Sequence, residues 1–182
     1  MALHVIHFMN SINSETLSAL QSASLGALRE GATEIAIHLS SDGGSTDHGF
    51  AAYHFLRSLP VPLTMHCIGN VESMAIIMFL AGERRLAVPH AKFKIHPLHW
   101  GFNAGSVDHD RLVEFGESLD FDADRYAVIF EERTKNAEKP LDVRTHLAGR
   151  ANIFGTTAAI DARLAIDISE VAIPAAAINW WV

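Results

Sequence analysis

Three short stretches of the chain combine residue types that can do chemistry. In the first, Asp42-Gly43-Gly44-Ser45, a glycine pair follows an alternating apolar run and precedes a helical one. Glycines there turn backbone N–H groups outward and allow a ligand to approach closely, which suits an anion or an oxyanion. No Gly-Lys-Ser/Thr follows, so a Walker-type phosphate loop is excluded. A tight turn with nothing bound is the structural alternative. In the second, Gly69-Asn70-Val71-Glu72-Ser73-Met74, a strand delivers Ser73 to the start of an apolar helix. Unpaired N–H groups at that place stabilise developing negative charge. A serine there also serves as a plain N-cap, so a nucleophile's role depends on a base. The third stretch supplies one: His96 ends the strand Lys92–Ile95 and precedes a loop marked by Pro97 and Gly101. Rigid strands that present loop-edge residues are where catalytic groups concentrate. His99 completes a His-x-x-His pair, a metal alternative for which no neighbouring carboxylate completes a ligand set.

Hydrophobic periodicity supplies the elements that must hold these stretches. Strands are predicted at His4–Phe8, Glu34–Leu39, Leu63–Ile68, Leu86–Val88, Lys92–His96 and Ala165–Ile173. The chain is expected to turn at Gly69-Asn70. Helices are predicted at Ser14–Glu30, about Asp47–Leu59, from Ser73 onward, Leu141–Leu147 and Ala158–Leu164. Leu112, Phe115, Leu119, Tyr126 and Phe130 mark a long half-exposed helix or helix pair across Gly105–Asn136. Strands separated by helices, repeatedly, predict an α/β layered fold. The closing Asn179-Trp180-Trp181-Val182 is expected to pack its aromatics on the core.

Composition narrows the function classes. The 182 residues fit one domain with no linker or internal repeat. An apolar fraction of 49% excludes a disordered chain, and a net charge of −7 argues against nucleic acid as a partner. The single cysteine, Cys67, excludes a disulfide framework and a cysteine-cluster zinc site. Neither a signal peptide nor an apolar run of the roughly 18 residues a membrane helix requires is present, which predicts a cytoplasmic protein without a membrane partner. No cofactor and no metal are expected.

Taken together, Ser41-Asp42-Gly43-Gly44, Gly69-Asn70-Val71-Glu72-Ser73-Met74 and Val88-Pro89-His90-Ala91-Lys92-Phe93-Lys94-Ile95-His96 resemble, in order and spacing, three blocks of the proteolytic subunit of the Clp (caseinolytic) serine proteases. The resemblance runs from about His4 to Ile168. It implies the Clp protease/crotonase-type spiral of repeated β-β-α units with a protruding handle helix at about 105–136, in a single domain over 1–182. It implies Ser73 as nucleophile, His96 as its base, and the N–H groups of Gly44 and Met74 as the oxyanion hole. The position that orients the histidine falls on Asn152, where the family has an aspartate. An asparagine carbonyl still accepts the imidazole Nδ1–H but supplies no charge, which predicts a Ser-His-Asn peptidase of reduced activity.

Three further departures bear on function. Glu72 precedes the serine, either disfavouring acidic substrates or pointing away into solvent. Asp42 stands in for a proline and is expected to loosen the glycine turn. The chain begins almost at its first strand, so a Clp-type ATPase partner is doubtful and the expected substrates are peptides or unfolded polypeptides. The handle implies a homo-oligomer, in heptameric or stacked rings. The alternatives are a catalytically impaired ring-forming subunit and a crotonase-type acyl-CoA enzyme, which would carry acidic catalytic residues on a longer chain.

Overall fold

The structure, a computed structural model, describes residues 2–102 and 105–182. Three buried parallel strands form its centre: β1 (Leu3–Phe8), β2 (Glu34–Ser41) and β3 (Leu63–Glu72). Their apolar residues, among them Ile6, Ile35, Ile37, Leu39, Met65 and Val71, are withdrawn from solvent, as a sheet covered on both faces requires. Between β1 and β2 runs α1 (Ser14–Arg29), opened by a capping box in which the Asn13 side chain and Thr16 satisfy each other's backbone N–H groups. Between β2 and β3 runs α2 (Thr46–Arg57), capped by Ser45.

β3 has two partners on its outer edge. Thr64–Cys67 pair with β4 (Arg84–Ala87), whereas Asn70–Glu72 pair with β5 (Lys92–Ile95). The sheet forks between these halves, where the register against β2 slips from Leu39↔Cys67 to Ser41↔Val71. The expected turn at Gly69-Asn70 is therefore a bulge inside a ten-residue strand. Ser40 Oγ accepts the Asn70 N–H at 3.2 Å, and a Cβ on Gly69 would lie 2.7 Å from that oxygen. The true turn comes at Ser73, followed by α3 (Met74–Phe79), all six of whose residues are buried.

The long helix is single: α4 (His109–Thr134). Its C-terminal half buries Tyr126, Ala127 and Phe130 against the core, while Leu112, Val113 and Phe121 stand exposed on the outer half. α5 (Val143–Ala148) leads into β6 (Asn152–Gly155), which runs antiparallel to β5, and then α6 (Thr156–Asp161). The expected strand Ala165–Ile173 shrinks to β7 (Asp167–Ile168), paired with β4. Pairing on the far edge passes instead to β8 (Ile178–Trp181), parallel to β1. Trp180 packs on the bare surface of Gly26 and donates its indole N–H to His4 Nδ1, so it joins the body as expected. Trp181 stays largely exposed, stacked on the His7 ring at 4.2 Å.

One buried side chain ties the helices together. Arg85, on β4, donates to the carbonyls of Gly82, Arg133, Arg163 and Leu164, which lie at the C-terminal ends of α3, α4 and α6. The negative ends of three helices thus converge on one guanidinium. Burial, followed by the charges of Arg133, Arg163 and Arg57, lowers its pKa to about 10. Among the described residues no helix is long and apolar enough to cross a membrane.

Candidate active site

The end of β3 forces Ser73 into an unusual backbone, φ 52° and ψ −129°. An L-residue avoids that conformation, at a cost of order 1–3 kcal/mol, and sharp strand-to-helix turns of this kind hold a serine hydroxyl clear of the chain. No hydrogen bond from its side chain caps α3, so the plain N-cap reading of Ser73 fails. The Ser73 N–H donates to Lys94 O at 2.8 Å and extends the β3–β5 ladder by one step. Ser73 therefore lies level with Ile95, and His96 is the next residue along. Across the other edge of β5, Ile95 pairs with Asn152. Residues far apart in the chain come to the ends of three neighbouring strands.

The glycine turn closes on the same place. Ile12 N–H donates to Gly43 O at 2.7 Å, Ser45 N–H to Ile12 O at 2.9 Å, and Gly43 N–H to Ser41 Oγ at 3.2 Å. The two Ile12 bonds hold the turn against the β1–α1 loop, and Ser41 Oγ braces it from within. Gly43 has φ 93° and Gly44 φ 148°, both suited to glycine. A Cβ on Gly43 would sit 2.7 Å from Ser73 Cβ and 3.0 Å from Met74 N, so only a bare backbone fits beside the serine. The N–H groups of Gly44 and Met74 donate to no protein acceptor among the described residues.

The side chains make two separate pairs. His96 donates Nδ1–H to the carbonyl of Pro97 at 2.8 Å, which leaves Nε2 with its lone pair. Asn152 Nδ2 lies 3.2 Å from His146 Nε2, and His146 Nδ1 lies 3.3 Å from the carbonyl of Arg150. Among the described residues no hydrogen bond joins His96 to Ser73 or to Asn152. His99 stacks beside His96 with ring centroids 5.9 Å apart. No group of three His, Cys, Asp or Glu among the described residues is placed to hold a metal ion.

Glu72 does not point away into solvent. It is buried, with Lys92 Nζ at 2.6 Å and Lys94 Nζ at 3.6 Å, so two ammonium groups offset its charge. The hydrogen bond to Glu72 in turn raises the Lys92 pKa. Two residues beside the site escaped sequence reasoning. Tyr126 on α4 donates its hydroxyl to Ser73 O at 3.2 Å, and its complete burial raises its pKa. His146 stands behind Asn152. Tyr126 carried only a helical-spacing signal and His146 none.

A family model described as Clp protease matches residues 2–146. The chain belongs to the Clp protease family. That family is one of serine peptidases, and the matched span contains Gly44, Ser73, Met74 and His96 but ends before Asn152. Among solved structures, an asparagine-to-aspartate mutant of ClpP1 from Listeria monocytogenes superposes with a TM-score of 0.74 at 19% identity, covering 92% of each chain. This likeness establishes the fold, the Clp protease/crotonase-like spiral.

Proposed function

We propose that the chain is a serine peptidase in which Ser73 attacks and His96 is its base. The observation that carries this reading is the strained Ser73, set one ladder step from His96 with the N–H groups of Gly44 and Met74 unengaged around it. Ser73 Oγ would bond to the scissile carbonyl carbon while its proton passes to His96 Nε2. The resulting oxyanion would lie against the two free N–H groups. His96 then returns the proton to the leaving amine, and a water activated by the same imidazole cleaves the ester.

Asn152 is assigned the orienting role, accepting the Nδ1–H of His96 once the ring leaves Pro97. An amide holds the tautomer without stabilising the imidazolium, so reduced activity follows. The ClpP1 comparison carries an asparagine-to-aspartate exchange of its own, and the same exchange at Asn152 is the apt probe. Suitable substrates are peptides or unfolded polypeptides, and the exposed outer half of α4 supports assembly with further copies into rings.

A fluorophosphonate serine probe, applied without nucleotide, tests the reading. Labelling of the protein, lost in Ser73→Ala and strongly reduced in His96→Ala, is expected, with faster labelling in Asn152→Asp. Labelling that survives Ser73→Ala would refute it. The separate pairing of His96 with Pro97 and of Asn152 with His146 favours one rival, a ring subunit without catalysis. Absence of labelling in every assembly state, seen by sedimentation, would establish that rival.

A further inference from the structure

The turn after α5 brings His146 to within 3.2 Å of Asn152, six residues on, and the hydrogen-bond chemistry of this pair runs in one direction only. Carbonyl oxygens only accept, so the 3.3 Å contact to Arg150 O requires the proton of His146 on Nδ1. A neutral imidazole with Nδ1–H has a bare lone pair on Nε2. The group facing that lone pair must donate, and the amide nitrogen of Asn152 does so. Its carbonyl oxygen Oδ1 is then left to accept.

We propose that His146 is a positioning residue that fixes the amide of Asn152 with its oxygen available to His96. The inference rests on the peptidase reading above. The completed chain would be consistent at every link. Ser73 Oγ–H donates to His96 Nε2, His96 Nδ1–H to Asn152 Oδ1, Asn152 Nδ2–H to His146 Nε2, and His146 Nδ1–H to Arg150 O. The last two links are formed in the structure. The first two form when His96 exchanges the Pro97 carbonyl for Asn152. Bonds aligned donor to acceptor polarise one another, which offsets part of the charge an amide lacks.

An amide needs such a partner and a carboxylate does not. Both oxygens of an aspartate accept, whichever way the group is turned, whereas an asparagine turned by half a rotation points N–H groups at the base. Asn152 therefore depends on His146 in a way an aspartate at the same position would not. With Asp at 152 the imidazole meets only acceptors, and its Nε2 must carry a proton.

A double-mutant cycle read by the rate of fluorophosphonate labelling at Ser73 tests this dependence, with melting temperature followed in parallel. His146→Ala is expected to slow labelling about tenfold, the loss of one orienting hydrogen bond. His146→Gln, whose side-chain oxygen still accepts from Asn152, restores most of the rate. In the Asn152→Asp background, His146→Ala changes labelling less than twofold. Equal losses in both backgrounds, or no loss in either, would overturn the inference. A wild type that never labels would defeat the peptidase reading instead, and imidazole 15N shifts would still decide the positioning. Nδ1–H with bare Nε2, reversed or doubly protonated in Asn152→Asp, supports it. An Nε2–H tautomer in the wild type overturns it.

Discussion

Ser73 donates its backbone N–H to the carbonyl of Lys94 at 2.8 Å, and this bond sets the nucleophile candidate level with Ile95, one residue short of His96. The ladder of a parallel sheet thus controls the distance between a serine and a histidine that the chain separates by a helix and two strands. It also holds Ser73 at φ 52°, because the strand must end there while α3 must begin.

That strain predicts a difference between two inactive variants. Ser73→Ala removes the hydroxyl and keeps the strain, whereas Ser73→Gly removes both. The glycine variant should melt roughly 2–6 °C higher than the alanine variant, even after the extra chain entropy of glycine. Thermal denaturation of the pair measures this, and a lower melting temperature for Ser73→Gly would show the turn to be unstrained.

The glycine turn allows a comparison of strain with crowding. Gly31 has φ 83° with no atom near its absent Cβ, while Gly43 has φ 93° with Ser73 Cβ, Glu72 O and Met74 N within 3.0 Å. Gly31→Ala is expected to cost about 1 kcal/mol and leave probe labelling unchanged. Gly43→Ala should abolish labelling, because the new methyl displaces the backbone of Ser73–Met74. Urea denaturation together with labelling separates the two effects.

Arg85 makes the largest stability prediction. Arg85→Met leaves the carbonyls of Arg133, Arg163 and Leu164, at the ends of α4 and α6, without their donor, while Gly82 O keeps the Arg133 guanidinium; the cost is at least about 3 kcal/mol. For a chain of this length that lowers the melting temperature by roughly 6–12 °C. Arg85→Lys should recover only a small part, since one ammonium cannot span carbonyls that a planar guanidinium reaches in several directions.

Ser73, His96 and the Gly43-Gly44 turn were legible in the sequence because each ends an apolar run, and local pattern marks where a strand stops. Asn152 is marked only by the family resemblance, through Phe154, Thr156 and Asp167; in the structure the Phe154 ring stacks on Phe93 across β5 and β6. Arg85 and His146 were not legible, because their partners are backbone carbonyls and an amide that no spacing rule connects to them. The bulge at Gly69-Asn70 was mistaken for a turn, since glycine and asparagine signal both and only Ser40 on the neighbouring strand decides between them. β8 escaped because Asn179-Trp180-Trp181 shows no alternation. What makes it a strand is the free edge of β1, a property of the assembled sheet.

The same sheet sets a pH limit on the fold. His7, His38 and His66 occupy one register row across β1, β2 and β3, with ring centroids 5.1 and 5.7 Å apart. Burial first, and then the neighbouring His7 and His66, lower the His38 pKa to about 4. Burial also lowers that of His66, which feels Arg84 on one side and Glu170 on the other and donates Nε2–H to Ser169 O. In the unfolded chain both titrate near 6.5. Above that value neither state binds a proton and stability is level. Below it the unfolded chain takes up protons that folded His38 and His66 refuse, so stability falls, for His38 by up to about 1.4 kcal/mol per pH unit until that ring charges near 4. Urea midpoints measured from pH 7 to 4 should therefore decline steeply in the wild type. His38→Leu should flatten the slope by about one proton. A His38→Leu profile parallel to the wild type would mean that His38 charges freely in the folded state.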